Sequence, residues 1–125
     1  MSARILVVDD NASNLKLACE LLACEGYEVL RADRSERALE ILAGTLPDLI
    51  LTDVSMPGMD GLALTRKLKA DPRTHAIPII VLTASAMKGD EVRIRAAGCD
   101  GYITKPIDTR AFVAEIAGHL RGRTS

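Results

Sequence analysis

Five side chains that could handle a cation and a phosphate each follow a short apolar run of the sequence. They are Asp9, Asp10, Asp53, Thr83 and Lys105. In an open parallel α/β sheet, ligands bind beyond the carboxyl ends of the strands, which meet at one edge. If the apolar runs are strands of such a sheet, three carboxylates, one hydroxyl and one ammonium group gather on a single rim.

Three carboxylates on one rim repel one another and therefore need a cation or a proton. Two unit charges about 4 Å apart repel by about 4 kcal/mol at an effective dielectric constant near 20. An open, partly hydrated site made of oxygen ligands favours Mg²⁺, which takes one or two carboxylates and keeps several waters. With the ammonium of Lys105 added, the formal charge of the site reaches zero, and the site could accept a phosphoryl group.

Phosphoryl transfer requires mainly in-line placement and charge neutralisation from a protein, and a carboxylate can be the covalent acceptor. Asp53 is the candidate acceptor because it stands alone after the predicted middle strand. Asp9 and Asp10 are adjacent and can share the metal. Thr83 could donate a hydrogen bond to one phosphoryl oxygen, and Lys105 could pair with another.

The elements that must position these residues are predicted to be five successive βα units. Apolar runs rich in β-branched residues alternate five times with stretches of helical period, which is typical of an α/β fold with a parallel sheet. The first, third and fourth runs are apolar at consecutive positions, so they should lie in the middle of the sheet. The predicted strands are Ile5–Val8, Tyr27–Leu30, Leu49–Leu51, Ile79–Leu82 and Tyr102–Thr104.

Capping residues and glycines mark the helix boundaries between these strands. The first helix should span Ser13–Glu25 before Gly26, and the fourth Lys88–Ala97 before Gly98. Asp33 with Glu36 resembles a capping box for the second helix, which runs through Ala43 and is closed by Gly44. Asp60 should cap the third helix, and the fifth should start at Asp108. Spacings of three and four predict buried faces at Leu15, Ala18, Leu22, Leu64, Leu68, Phe112, Ile116 and Leu120.

Composition narrows the possible classes of protein. The 125 residues are 48% apolar, enough for one core and one domain over residues 1–125. Lysine and arginine number 16 against 17 acidic residues, a formal charge of −1, so no nucleic-acid binding is expected. No apolar run approaches the roughly 20 residues of a membrane span and no signal peptide is recognisable, which predicts a cytoplasmic protein without a membrane partner. Three cysteines without a Cys-x-x-Cys pair predict buried reduced thiols: Cys19, Cys24 and Cys99.

The ordered set of motifs resembles the receiver domain of bacterial two-component response regulators over essentially the whole chain. The motifs are Asp9-Asp10, the stretch Leu51–Gly61 (LTDVSMPGMDG), Leu82-Thr83-Ala84 and Lys105-Pro106. The resemblance implies a flavodoxin-like doubly wound fold, with five parallel strands in the order 2-1-3-4-5. It is similar to the single-domain receivers, without an output domain, of bacterial cell-cycle and motility relays, and the stretch Thr83–Asp90 favours the cell-cycle phosphorelay type.

The resemblance also implies roles for individual residues. A histidine kinase or a histidine phosphotransfer protein would phosphorylate Asp53, with Mg²⁺ held by Asp10, Asp53 and the carbonyl of Ser55. Asp9 would act mostly through water, and the bond before Pro106 would be cis. The protein would be a phosphoacceptor rather than an enzyme, assisting its own phosphotransfer and its slow dephosphorylation.

A switch is implied as well. A phosphoryl oxygen would draw Thr83 inward, Tyr102 would turn into the vacated space, and the face formed by the fourth helix, fifth strand and fifth helix would change. A downstream protein would bind this face, and the phosphodonor would dock beside the acceptor. The predicted partner surface comprises Met87, Lys88, Ile94, Tyr102 and Thr104, and the predicted donor surface Asn14, Leu15 and Pro106.

Each residue taken singly has an ordinary explanation. Asp9-Asp10 and Thr83 could be helix caps, Asp53 a turn residue, Lys105 a solvated charge and Tyr102 part of the core. Three other functions are compatible with the architecture: a flavin-binding electron carrier, an aspartyl phosphatase, and an adaptor that works without phosphorylation. A flavin carrier needs a hydroxyl- and glycine-rich loop after the first strand, where this chain has acids that would repel phosphate.

Overall fold

The computed structural model describes residues 3–84 and 87–124, with side chains as far as Arg121. Strands and helices alternate strictly along this part of the chain, as the apolar pattern predicts. In chain order the elements are β1 (Arg4–Val8), α1 (Ala12–Cys24), β2 (Glu28–Ala32), α2 (Ser35–Leu42), β3 (Leu49–Asp53), α3 (Gly61–Lys69), β4 (Ile79–Thr83), α4 (Lys88–Ala96), β5 (Gly101–Thr104) and α5 (Thr109–Thr124).

The five strands are all parallel and lie in the order β2-β1-β3-β4-β5, which confirms the predicted doubly wound topology. Strands β1, β3 and β4 each have a neighbour on both sides, as their unbroken apolar runs predict. Val8 pairs with both Ala32 and Thr52, and Thr83 pairs with Thr104. Since adjacent strands lie about 4.8 Å apart, this register aligns the carboxyl ends of the strands along one edge.

Alternate residues of the central strands supply the two faces of the sheet. On one face, residues such as Val7 and Leu51 pack with α1 and α5, where Phe112 and Ile116 are fully buried. On the other face, residues such as Val8 and Ile50 pack with α2 and α3. A third cluster around Val81 joins the sheet to α4. Both faces are covered, which is why these strands carry no polar alternation.

Most predicted helix boundaries agree with the structure. Gly26 and Gly98 have φ values of +88° and +95° after α1 and α4, a conformation that favours glycine. The Asp60 carboxylate accepts the Ala63 N–H at 2.8 Å, and Asp108 accepts N–H groups at the start of α5. Helix α1 begins one residue earlier than predicted because Asn11 caps it, accepting the Asn14 N–H at 3.0 Å.

The predicted capping box at the start of α2 is wrong. Arg34 occupies the N-cap position without a side-chain cap bond, and Asp33 pairs with Arg34 at 3.3 Å instead. The next residue, Ser35, has a hydroxyl group that could cap a helix, but its Oγ donates a hydrogen bond to the carbonyl of Met59 at 2.7 Å. This contact ties the first residue of α2 to the segment before α3.

Four other predictions need correction. The thiol of Cys24 is exposed and that of Cys99 only half-buried, so only Cys19 is a buried cysteine; all three are free. Leu15 is half-buried at the edge of the core. Strand β2 is displaced along the chain relative to the predicted Tyr27–Leu30, because it lies at the sheet edge, where the apolar pattern is weak. Strand β3 extends through Asp53, which is its last residue. Among the described helices, none has the length and apolar character needed to cross a membrane.

Candidate functional site

The carboxyl edge of the sheet brings three carboxylates together. Asp9 and Asp10 follow β1, and Asp53 ends the neighbouring strand β3. One oxygen from each lies within 4.8 Å of the others. Such an oxygen-only group is what the sequence predicts for a divalent cation, and it is the one acidic group of this kind found in the described part of the chain.

Asp53 is buried and has a defined partner for each of its oxygens. Only 4% of the residue is exposed. Its Oδ2 accepts a hydrogen bond from Lys105 Nζ at 2.6 Å, and its Oδ1 accepts the Ser55 N–H at 3.1 Å. Lys105 follows β5, its N–H donates to the carbonyl of Thr83 at 2.8 Å, and the Lys105–Pro106 bond is cis, as expected. The ammonium group compensates one negative charge of the cluster.

The two adjacent aspartates have different environments. Asp9 is 1% exposed, whereas Asp10 is exposed. Asp9 Oδ1 accepts the Asn11 N–H at 2.9 Å, but Asp9 Oδ2 is buried and has no hydrogen-bond partner among the residues that the structure describes. Burial, with the nearby charge of Asp53, raises the pKa of Asp9 to about 6, although the Asn11 N–H and Lys105 oppose this. An unsatisfied buried carboxylate oxygen in an acidic cluster fits a cation or its water as the missing partner.

A glycine that the sequence analysis gave no role proves to be essential to this arrangement. A Cβ atom at Gly61 would collide with the backbone carbonyl of Asp53. The Gly61 N–H donates to the carbonyl of Val54 at 2.9 Å, so the start of α3 lies directly against the end of β3. The sequence feature that could have identified Gly61 is its position immediately after the capping residue Asp60.

A cleft of about 640 Å³ opens beside the acidic cluster. It lies between the loop after β3, the end of β4 and helix α4. Its polar lining residues are Asp10, Ser55, Asp60, Thr83, Asp90 and Arg93. A phosphoryl group on the acceptor strand would therefore meet side chains from three separate elements.

Thr83 and Tyr102 lie on one face of the sheet, on neighbouring strands. Thr83 pairs with Thr104, and Val81 pairs with Tyr102, so Thr83 and Tyr102 are offset by two residues and their side chains point to the same face. Thr83 is buried, while Tyr102 is half-buried against the cluster that contains Ile94. A cavity of about 540 Å³ adjoins the ring of Tyr102.

The predicted partner surface needs one correction. Ile94 is buried in that same cluster, so it cannot contact a partner in this conformation. Met87 is 74% exposed, and Lys88 and Thr104 are exposed as well. Sequence reasoning missed Val92, an apolar side chain of α4 that is 62% exposed. The helical spacing of α4 could have indicated it, because Val92 and Ile94 lie on different sides of the helix.

These features define a doubly wound α/β protein with an acidic, lysine-compensated pocket at the carboxyl edge of its sheet. Residues 5–117 match the family model of the response regulator receiver domain. The chain therefore belongs to the response regulator receiver domain family and is a phosphoacceptor switch of two-component signalling.

The relatives agree with this assignment. The polar-differentiation response regulators DivK of Brucella ovis and Brucella abortus are 42% identical over 120 residues, which cover 96% of this chain and 98% of theirs. A response regulator structure from Chloroflexus aurantiacus superposes with a TM-score of 0.93 at 31% identity, covering 97% of this chain and 99% of that one. The receiver domain of a Pseudomonas aeruginosa sensor histidine kinase, with magnesium in its active-site cleft, has a TM-score of 0.85 at 32% identity and full coverage of both chains.

Proposed function

We propose that this receiver accepts a phosphoryl group on Asp53 from the phosphohistidine of a histidine kinase or histidine phosphotransfer protein, and signals through the face formed by α4, β5 and α5. The observation that carries the proposal is the position of Asp53. Its carboxylate is buried at the end of a central strand, 2.6 Å from Lys105 Nζ and within the acidic cluster. A nucleophilic carboxylate with a cation beside it is what phosphoryl transfer requires.

The residues present fit a Mg²⁺ ion. Asp10, Asp53 and the carbonyl of Ser55 would hold it, and the unpartnered Oδ2 of Asp9 would accept a hydrogen bond from one of its waters. When bound, the ion supplies positive charge that offsets the repulsion between the carboxylates and an incoming phosphoryl group. The same charge would lower the electrostatic cost of the buried carboxylate of Asp9.

The transfer itself needs few protein groups. A carboxylate oxygen of Asp53 forms a bond to phosphorus while the phosphorus–nitrogen bond of the donor breaks. The leaving imidazole keeps that electron pair and takes up a proton. Lys105 neutralises the transferred oxygens and Thr83 donates to one of them. Water later hydrolyses the acyl phosphate slowly, so the chain is a stoichiometric phosphoacceptor and not an enzyme.

The donor is proposed to dock at the end of the molecule where α1 begins. Asn14 and Leu15 are half-buried on α1, and Pro106 is exposed beside Lys105. Asn11 caps this helix directly after the acidic pair, so the surface adjoins the acceptor. A donor protein whose histidine reaches Asp53 would use this surface.

The switch is proposed to act through Thr83 and Tyr102. Inward movement of Thr83 toward a phosphoryl oxygen frees space on the face that it shares with Tyr102, and the adjoining cavity leaves the ring room to move. The movement then changes the surroundings of Met87 and Val92, the exposed apolar residues of the signalling face. A population change from 1:99 to 99:1 requires about 5.5 kcal/mol, which a few charge-assisted hydrogen bonds can supply.

Phosphorylation can be tested with acetyl phosphate and Mg²⁺, followed by mass spectrometry of the intact protein. We expect one added phosphoryl group, about 80 Da, that is absent in Asp53→Asn and retained in the control Asp33→Asn, whose carboxylate is exposed. An adduct that persists in Asp53→Asn would identify another acceptor. If the wild type takes no phosphoryl group, the protein is instead an adaptor that works without phosphorylation.

The role of Tyr102 can be tested by NMR with the phosphoryl mimic beryllofluoride. We expect amide shifts across α4, β5 and α5 in the wild type, and much smaller shifts at a distance from Asp53 in Tyr102→Ala. Unchanged shifts in that variant would remove Tyr102 from the switch.

The similarity to the DivK proteins supports a role in a polar-differentiation or cell-cycle relay. Expression of this chain in a Brucella strain depleted of its own DivK tests this role. Restored cell polarity would support it, and failure by a stably expressed protein would argue for another process.

A further inference from the structure

Arg93 is the one cationic side chain that lines the cleft beside Asp53 among the described residues. It comes from α4, whereas the acceptor is on β3 and Lys105 follows β5. The other charged lining residues, Asp10, Asp60 and Asp90, are all acidic. The catalytic roles proposed above make no use of this arginine.

The present partner of Arg93 holds it weakly. Its Nη1 lies 3.7 Å from Asp90 Oδ1, three residues earlier on the same helix, and 65% of the side chain is exposed. Ion pairs of this kind contribute only about 0–1 kcal/mol, because water screens them and two side chains must be ordered. Arg93 can therefore exchange this carboxylate for a stronger anion at little cost.

Phosphorylation would create such an anion in the same cleft. An aspartyl phosphate has about one more negative charge than the carboxylate that it replaces, by analogy with other phosphorylated side chains. Its oxygens match the planar fork of a guanidinium group, which can bind two of them at once. The carboxylate of Asp60 competes less readily than a phosphoryl group for Arg93, because it already caps α3.

We propose that Arg93 leaves Asp90 when Asp53 is phosphorylated and binds the phosphoryl oxygens, linking α4 directly to the modified residue. The inference rests on the proposed role of Asp53 as acceptor. It adds a second connection to the signalling face besides Thr83 and Tyr102. Val92, adjacent to Arg93 in α4, is an exposed apolar residue, so a shift of α4 caused by the new contact would reach the signalling face.

Arg95 offers a matched control on the same helix. It also forms an exposed ion pair, with Glu91 at 3.0 Å, but it opens onto the cavity beside Tyr102 and not onto the acceptor cleft. Arg93→Gln and Arg95→Gln therefore remove the same charge from the same helix at different places. Arg93→Lys keeps the charge but loses the planar fork.

The affinity of each Mg²⁺-loaded protein for beryllofluoride should be measured by NMR titration or calorimetry. We expect Arg93→Gln to weaken it about three- to tenfold, the range given by one typical hydrogen bond, because solvent screening reduces the extra strength of a charge-assisted bond at this exposed site. The affinity of Arg95→Gln should stay within about twofold of wild type. The affinity of Arg93→Lys should lie between those of wild type and Arg93→Gln. The affinity for Mg²⁺ alone should not decrease in Arg93→Gln, because the variant removes a positive charge near the site. A loss of both affinities would indicate a structural defect and overturn the inference.

Replacing the competing carboxylate gives a test of opposite sign. Asp90→Asn should strengthen beryllofluoride binding, and this gain should disappear when Arg93→Gln is also present. The inference is refuted if the two arginine variants weaken binding equally, or if the gain from Asp90→Asn survives without Arg93. If wild type and variants alike ignore beryllofluoride in the presence of Mg²⁺, the proposed acceptor function fails first.

Discussion

Asp9→Asn should stabilise the metal-free protein at neutral pH, although it damages the proposed metal site. The carboxyl group of Asp9 is buried, and burial is the main reason why its pKa rises from 3.8 to about 6. Each unit of pKa difference corresponds to about 1.4 kcal/mol. The ionised carboxylate of Asp9 therefore lowers the free energy of unfolding by up to about 3 kcal/mol at pH 7. Asparagine keeps the acceptor for the Asn11 N–H but has no charge. We expect a gain of about 1 to 3 kcal/mol, the lower figures applying if water entering from the adjacent cleft screens the carboxylate.

The sign of the pH dependence follows from the direction of the pKa change. Because the folded protein binds this proton more tightly than the unfolded chain does, the penalty is complete above about pH 6 and absent below about pH 4. The advantage of Asp9→Asn over wild type should therefore shrink as the pH falls through this interval. Saturating Mg²⁺ should reverse the order at neutral pH, since a ligand stabilises only the protein that binds it.

Urea unfolding followed by circular dichroism, with a chelator at pH 7.5 and at pH 4.5, measures both effects. Asp10→Asn is the control, because it removes the same formal charge from an exposed side chain. That variant should change the free energy of unfolding by less than about 0.5 kcal/mol. A destabilised Asp9→Asn protein, or a gain of equal size at both pH values, would refute the account of Asp9 as a desolvated carboxylate.

Three further changes test the geometry of the site. Gly61→Ala should destabilise the protein by about 1–3 kcal/mol in thermal unfolding and slow phosphorylation by acetyl phosphate, because the new Cβ displaces the Asp53 backbone. Gly44→Ala, where the added Cβ has open space, should do neither. Lys105→Met should slow phosphorylation at least about tenfold yet tighten Mg²⁺ binding in a calorimetric titration; weaker Mg²⁺ binding would contradict the charge balance proposed here. Thr83→Val should still take up a phosphoryl group but show reduced amide shifts in α4 and β5, and Thr83→Ser should restore them.

The sheet and its rim were predictable because burial on both faces leaves a direct mark in the sequence. The central strands are apolar through most of their length, and the polar residues at or just beyond their ends then mark the carboxyl edge of the sheet. Edge strand β2 has an exposed residue at each of positions 28 and 31, so its limits were less certain. At the start of α2, the Ser35 hydroxyl bonds to Met59, 24 residues away, and no local pattern of capping residues contains such a contact.

The division of roles within the acidic pair depends on tertiary structure in the same way. Asp9 and Asp10 are chemically identical neighbours, so residue type alone assigns them equal parts in holding a cation. Asp9 follows β1, but its N–H still donates to the carbonyl of Ala32 in β2 at 3.1 Å, which holds the residue against the end of the sheet, where its side chain is buried. Asp10 lies one residue further and is exposed. Only the buried carboxylate loses its hydration and leaves an oxygen without a partner. The fold therefore carries an electrostatic cost at Asp9 that a bound cation relieves, and this cost gives the metal-free and metal-bound states different stabilities.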